Sequence, residues 1–514
     1  LKKCEGMFSF ALFDKKKDVF YIFRDRLGIK PLFFFKDENF FAFSSEIKSL
    51  VHLLDSKDLN YQAFSEYLFY GNSFKDNTIF ERIKSLEPGG LIIFNNSTKK
   101  FSSHQWWKVE DWIYEDYPDS INKKDNHLEE ILQKNIDEAV QRQLNSDVPV
   151  GIFLSGGIDS STVAASIRNT SSRKIKSFVA TFDFEQGINE KNKSFQVANY
   201  LNLDHEELNI SGENLIHTIE KLAHFYDEPF GDAANIPLYL MTKEAKKSIK
   251  VVLSGDGGDE LFSGYPRNKI ISNLDILRLV PNLKFMPNKL FNRLSFVRIK
   301  RISQAINSNN YGEVMAQLLT TEILKKNPFS LFEEEKEKYL RETTNPFKSF
   351  LECNERFKKF SNSKKMMLTD LTLQLPSQFL TKVDRASMAN SIEIRVPLLD
   401  EKILKFALNL SDKKIFSRFK DKIILRNILK KRISRRIVAQ KKKGFGVPYE
   451  FWLKTSLYDY AFAKLTDDNF LNYFNLEQKK IETLLIQHKK GISDRGFMLW
   501  KLLQLSLWQD KYLN

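Results

Sequence analysis

Two textures of hydrophobic patterning divide the chain. Up to about residue 105 the apolar residues come in short aromatic and β-branched runs. Residues 7–13 and 19–23 flank a charged turn at 14–18, and residues 31–35 and 40–43 flank another at 36–39. Such runs predict strands of a sheet with at least one buried face. A short helix is predicted over residues 61–69. A turn at Pro88, Gly89 and Gly90 then leads into a strand over 91–94. Residues 117–126, Tyr-Pro-Asp-Ser-Ile-Asn-Lys-Lys-Asp-Asn, are polar and turn-forming and read as a linker.

Beyond it the period changes. Leu128, Ile131, Leu132, Ile136, Ala139 and Val140 recur at helical spacing. Strands are predicted over 148–154, 177–182 and 250–253, with helices over 160–168 and 195–201. Alternation of this kind predicts a parallel sheet with helices on both faces. From about residue 270 to the end the pattern is mainly helical.

Composition narrows the class. With 514 residues, 42% of them hydrophobic, the chain is long enough for two or three domains and apolar enough to bury their cores. Two cysteines, Cys4 and Cys353, exclude a disulfide scaffold or a Cys-rich zinc module, and both are expected as small buried hydrophobes. No apolar run approaches the length of a membrane span, and no signal-peptide pattern opens the chain, so a cytoplasmic protein without a membrane partner is expected. The charge of +15 is spread along the chain. Its one dense stretch, Lys430 to Arg436 followed by Lys441 to Lys443, reads as solvated helix faces and a phosphate site, without nucleic acid as a partner.

The sharpest local signal is Val150-Gly151-Ile152-Phe153-Leu154-Ser155-Gly156-Gly157-Ile158-Asp159-Ser160-Ser161, an apolar strand running through Ser-Gly-Gly into a helix. Adjacent glycines let backbone N–H groups approach an anion, and the helix N-terminus adds partial positive charge. Asp159 is out of place in an anion site unless a divalent cation sits between carboxylate and phosphate. The Lys-Ser/Thr pair of a P-loop is missing. A second strand–loop–helix follows at Val251-Val252-Leu253-Ser254-Gly255-Asp256-Gly257-Gly258-Asp259-Glu260. If both loops end neighbouring parallel strands, they face one crevice at the carboxyl edge of the sheet, where Asp159 and Asp259 can share one Mg²⁺.

The Ser-Gly-Gly-x-Asp-Ser form resembles the pyrophosphate loop of ATP-pyrophosphatases, and the second loop resembles that of the glutamine-hydrolysing asparagine synthetases. Four further stretches are similar to the same family: Asp227 to Asp232, Leu380 to Met388, Glu393 to Asp400 and Lys442 to Pro448. Arg24 to Leu32 and Ser45 to Lys48 resemble the later part of its glutaminase domain. The resemblance implies an α/β protein in two parts. Residues 1–105 would be the later portion of an N-terminal-nucleophile αββα glutaminase domain, 106–126 a linker, and 127–514 a parallel-sheet ATP-pyrophosphatase synthetase domain with a helical C-terminal part.

It further implies that ATP and Mg²⁺ activate L-aspartate as β-aspartyl-AMP. Ammonia, from L-glutamine through a tunnel or supplied directly, then gives L-asparagine, AMP and pyrophosphate. By position, Ser155, Gly156, Gly157, Asp159 and Ser160 would hold pyrophosphate and metal, with Asp259 as second metal ligand. Phe153 and Ala180 would lie by the adenine, and Ser254 and Gly255 by the nucleotide. Asp256 stands where many members carry Glu, and Lys442, separated from Lys443 by register alone, would stabilise charge at the α-phosphate. Asp232, Asp384 and Arg385 are expected to shape the acceptor pocket, with a buried ion pair as the alternative for the last two. Another carboxylate acceptor, as in relatives that close a β-lactam, stays open, as does a homodimer. The family's nucleophilic N-terminal cysteine has no counterpart in this chain, where Cys4 is internal. The expectation is therefore a fragmentary sequence that at most uses ammonia.

Overall fold

The computed structural model describes every residue except 1, 2, 39, 115–124, 172, 173, 183–190, 211–213, 280–301, 321–327, 417–419, 440–445 and 514. Residues 115–124 of the expected linker lie outside the described residues. β1 (Ser9–Asp14) and β2 (Val19–Arg24) pair across the first charged turn, and β3 (Phe33–Lys36) and β4 (Phe41–Ser44) across the second. β5 (Ile83–Ser85), β6 (Gly90–Asn95) and β7 (Phe101–Gln105) complete two antiparallel sheets, ordered β1-β2-β6-β7 and β4-β3-β5. Ile22, Leu32, Leu86 and Ile92 form a small core between the sheets. Across it the rings of Phe41 and Phe94 stack at 4.9 Å. The Arg24-to-Leu32 motif has a structural cause here. The Asp25 carboxylate, buried, accepts the backbone N–H groups of Phe8, Leu27, Ile29 and Lys30 and so fixes the turn after β2. Cys353 is buried as expected, but Cys4 is exposed, lying ahead of the first strand.

The C-terminal part carries a five-stranded, wholly parallel sheet. Its strands are β8 (Val150–Phe153), β9 (Lys176–Phe182), β10 (Asp204–Ile210), β11 (Val251–Leu253) and β12 (Glu393–Arg395), in the order β10-β9-β8-β11-β12. The chain leaves β8 toward β9 and β10, then returns to lay β11 on the other side of β8. The strand order therefore reverses between β8 and β11, and crevices for ligands form outside the carboxyl ends of strands at such a point.

The remainder is helical, as the pattern predicts. Lys431 pairs with Glu129 at 2.7 Å and Arg432 with Asp137 at 2.5 Å. The dense basic stretch thus partly serves to pin helix Ile423–Arg432 to helix Asp125–Gln143. No helix among the described residues is long and apolar enough to cross a membrane.

The two parts share one hydrophobic core. Helix Tyr61–Tyr70 of the N-terminal part lies among C-terminal helices, with Phe64 stacked on Phe474 and the Tyr67 hydroxyl donating to the Lys501 carbonyl at 2.6 Å. Gly71, which ends that helix at φ +86°, donates closeness as well as curvature: a Cβ on Gly231 would stand 2.7 Å from Gly71 Cα.

Candidate active site

The two glycine loops leave the carboxyl ends of adjacent parallel strands, β8 and β11, which meets the condition set for a shared crevice. They touch. A Cβ on Gly255 would stand 2.6 Å from the Ser160 amide nitrogen, and one on Gly258 would collide with the Asp159 carboxylate. Only glycine lets the second loop lie this close against the first turn of helix Ile158–Thr170. Within the first loop Gly156 takes φ +70°, and the Ser155 hydroxyl accepts the Gly157 N–H at 3.2 Å and meets the Ser160 hydroxyl at 3.0 Å. The helix thus opens with backbone N–H groups and two hydroxyls gathered at its positive end, an arrangement suited to phosphate oxygens. Phe153 packs edge-on to Phe178, and Ala180 is buried two residues further along β9, so both flank the same edge.

In the second loop the Asp256 carboxylate accepts the Ser254 hydroxyl at 2.6 Å. Behind it, burial pushes Glu260 up to about 7, with Asp259 adding to the shift, and the Tyr265 hydroxyl donates to Glu260. Arg267 lies 3.8 Å from the centre of the Tyr265 ring and pairs with the buried Asp370 at 2.9 Å, closing the loop from below.

Asp159 and Asp259 do converge, and on a side chain that the sequence did not single out. The Lys422 ammonium bonds the Asp159 carboxylate and lies 2.5 Å from Asp259 Oδ1. Burial works against its charge, but the two carboxylates outweigh burial and hold its pKa above the ordinary lysine value. Lys422 sits at φ +50° just before helix Ile423–Arg432 and reaches the crevice over Gly264, where any Cβ would overlap its stem. Nothing local marks it, since both of its partners, Asp159 and Asp259, lie far back along the chain, Asp159 by 263 residues.

Lys382 is a second residue missed, although its motif was singled out. Its ammonium is 3.0 Å from Asp232 Oδ2, and Asp232 and Asp256 together overcome burial to raise its pKa. Asp232 therefore faces the crevice, opposite in charge to its partner. Asp384 and Arg385 do not join it. Asp384 pairs with Lys30 at 3.0 Å, and Arg385 donates to the Ser45 carbonyl at 2.9 Å and lies 3.5 Å from Glu46 and from Asp227. Both point at the N-terminal part, whereas Lys382, earlier on the same helix Thr381–Met388, faces Asp232. They fit the ion-pair alternative. Ahead of that helix lies a π-helix, Asp370–Leu380, whose wider turns accommodate Pro376, a residue without a backbone donor. Lys442 and Lys443 lie outside the described residues.

Between the two parts is a cavity of about 70 Å³, lined by Arg24 and Pro88 on one side and by Glu228, Pro376, Asp384 and Arg385 on the other. Glu228 accepts the Ile79 N–H at 2.7 Å, and burial pushes it up to about 7.

Comparison with known proteins gives the chain a family. The family model described as asparagine synthase matches residues 132–510, and that of the glutamine amidotransferase domain matches residues 1–107. Asparagine synthetase (glutamine-hydrolyzing) 1 of Bacillus subtilis is 28% identical over 519 residues, covering 99% of this chain and 78% of that protein. A Methanocaldococcus jannaschii protein, provisionally named asparagine synthetase (glutamine-hydrolyzing) 2, is 30% identical over 407 residues, 77% of this chain and 75% of its own length. Asparagine synthetase (glutamine-hydrolyzing) 3 of Bacillus subtilis is 27% identical over 505 residues, 93% of this chain and 73% of that protein. The fold and the matched domains define a ligase that carries out ATP-dependent amidation with a glutamine amidotransferase domain attached. The chain belongs to the asparagine synthase family.

Proposed function

We propose that this chain amidates L-aspartate to L-asparagine. A β-carboxylate oxygen of aspartate attacks the α-phosphorus of ATP, the α–β bridging P–O bond breaks, and pyrophosphate leaves. Ammonia then attacks the acyl carbon of β-aspartyl-AMP, the bond to AMP breaks, and a proton passes to a base. The meeting of Ser155–Ser160 and Ser254–Asp259 at one strand-order reversal, with Asp159 and Asp259 aimed at one point, is the observation that carries this reading.

The residues fit a bound Mg²⁺. Two carboxylate oxygens already reach a single cationic atom, and an all-oxygen donor pair completed by phosphate and water suits a hard divalent ion. When bound, Mg²⁺ would neutralise charge on the departing pyrophosphate. The chain's own contribution is orientation. The N-terminus of helix Ile158–Thr170, Gly156, Gly157 and the Ser155 and Ser160 hydroxyls hold phosphate oxygens, and Phe153, Ala180, Ser254 and Gly255 flank the nucleoside. The Asp232–Lys382 pair offers an anion and a cation to the two charged groups of an α-amino acid, beside Asp256. Lys442, or Lys443 one position on, supplies a cation for charge developing at the α-phosphate. The interdomain cavity is the passage for ammonia, which L-glutamine supplies in the family's full reaction.

The test is product analysis with ammonium and ATP across a panel of carboxylic acids. Aspartate-dependent AMP and pyrophosphate support the reading. Release driven by another acid would reassign the acceptor.

A further inference from the structure

The position between Asp159 and Asp259, the one that suits a divalent cation, holds the ammonium of Lys422. That ammonium is buried, and its stem is fixed by the close pass over Gly264 and by the left-handed turn that opens helix Ile423–Arg432. A free divalent ion entering this crevice meets a like charge that already holds one oxygen of each carboxylate. To bind, the ion must drive a buried ammonium away from its partners with no new anion to receive it. An ion that arrives on a triphosphate brings four negative charges with it, which offset both the ion and the displaced ammonium.

We propose that Lys422 is a resident cation that keeps the carboxylate pair closed to free divalent metal and yields it only to a metal carried on a triphosphate. This rests on the reading of the crevice as a metal–triphosphate site. It makes Lys422 a positioning residue that sets the order of addition, and it predicts no independent metal site at Asp159 and Asp259.

The experiment is titration of the whole chain with Mn²⁺, followed by the loss of the free-ion paramagnetic signal. Without nucleotide, wild-type protein should leave Mn²⁺ free, and Lys422→Met should bind it at least about tenfold more tightly. Lys422→Arg, which keeps the charge, should exclude Mn²⁺ as wild type does, and adding Asp259→Asn to Lys422→Met should abolish the gained site. With α,β-methylene-ATP, wild type should take up Mn²⁺. Tight binding of Mn²⁺ alone by wild type, a result that needs no variant to fold, overturns the inference. So does a Lys422→Met protein that gains no affinity. Failure of the nucleotide analogue to bring Mn²⁺ into wild type would instead remove the metal–triphosphate reading, and the inference with it.

Discussion

Gly255 lies so close to Ser160 that a methyl group on its Cα would stand 2.6 Å from the Ser160 amide nitrogen and 2.8 Å from Asp159 Cβ. Backbone atoms held in the first turn of a helix cannot yield as the tip of a side chain can. Gly255→Ala must therefore push the two loops apart, at a cost of about 1–3 kcal/mol in stability. The same displacement spoils the phosphate cradle, and ATP affinity should fall by about tenfold or more, read by calorimetry on folded protein.

Arg385 and Lys30 both cross between the two parts, but burial separates their effects. The Arg385 side chain is 6% exposed and faces Asp227, which is fully buried. Truncating Arg385 to alanine removes one partner of that buried charge, although Lys48 remains 3.2 Å from it. A loss of about 3 kcal/mol is expected in denaturant unfolding. The Lys30–Asp384 pair retains solvent contact, with side chains 24% and 11% exposed. Lys30→Ala should cost no more than about 1 kcal/mol.

Glu66 sets a pH dependence whose sign follows from its burial. Its carboxylate accepts from Phe74 N–H, the Ser349 hydroxyl and the Gln62 amide, yet burial pushes its pKa from 4.5 up to about 7. The folded chain thus keeps a proton that the unfolded chain releases between those values. Its contribution to stability is most favourable below pH 4.5, declines as pH rises, and is lost above about 7. In paired thermal melts, the difference between wild type and Glu66→Gln should shift toward the variant as pH rises through this window.

Lys442 and Lys443 are distinguished by kinetics. Lys442→Ala should lower kcat by about 10²–10³ while leaving ATP binding near wild type, and Lys443→Ala should not. The reverse result would move the role by one residue.

The strands and loops around the crevice were legible because their signal is local. Apolar runs mark β8, β9 and β11, and paired glycines mark the turns after β8 and β11. β10 escaped because Asp-His-Glu-Glu-Leu-Asn-Ile is an edge strand with several polar side chains at the surface, and β5 and β12 because three residues show no period. Lys422 and Lys382 could not be assigned from sequence. A lysine becomes distinctive only when folding brings distant carboxylates to it, as Asp159 and Asp259 do for Lys422. Asp384 and Arg385 show the converse: their motif was visible, but the face of the helix they occupy, toward Lys30 and Ser45, was not.

The most direct test of the central claim is the fate of ATP labelled in its α-phosphate, incubated with this chain, ammonium and L-aspartate. The account predicts labelled AMP, with pyrophosphate and asparagine in equal amounts and no turnover when aspartate is omitted. Labelled ADP with orthophosphate, or AMP formed equally well without aspartate, would contradict it.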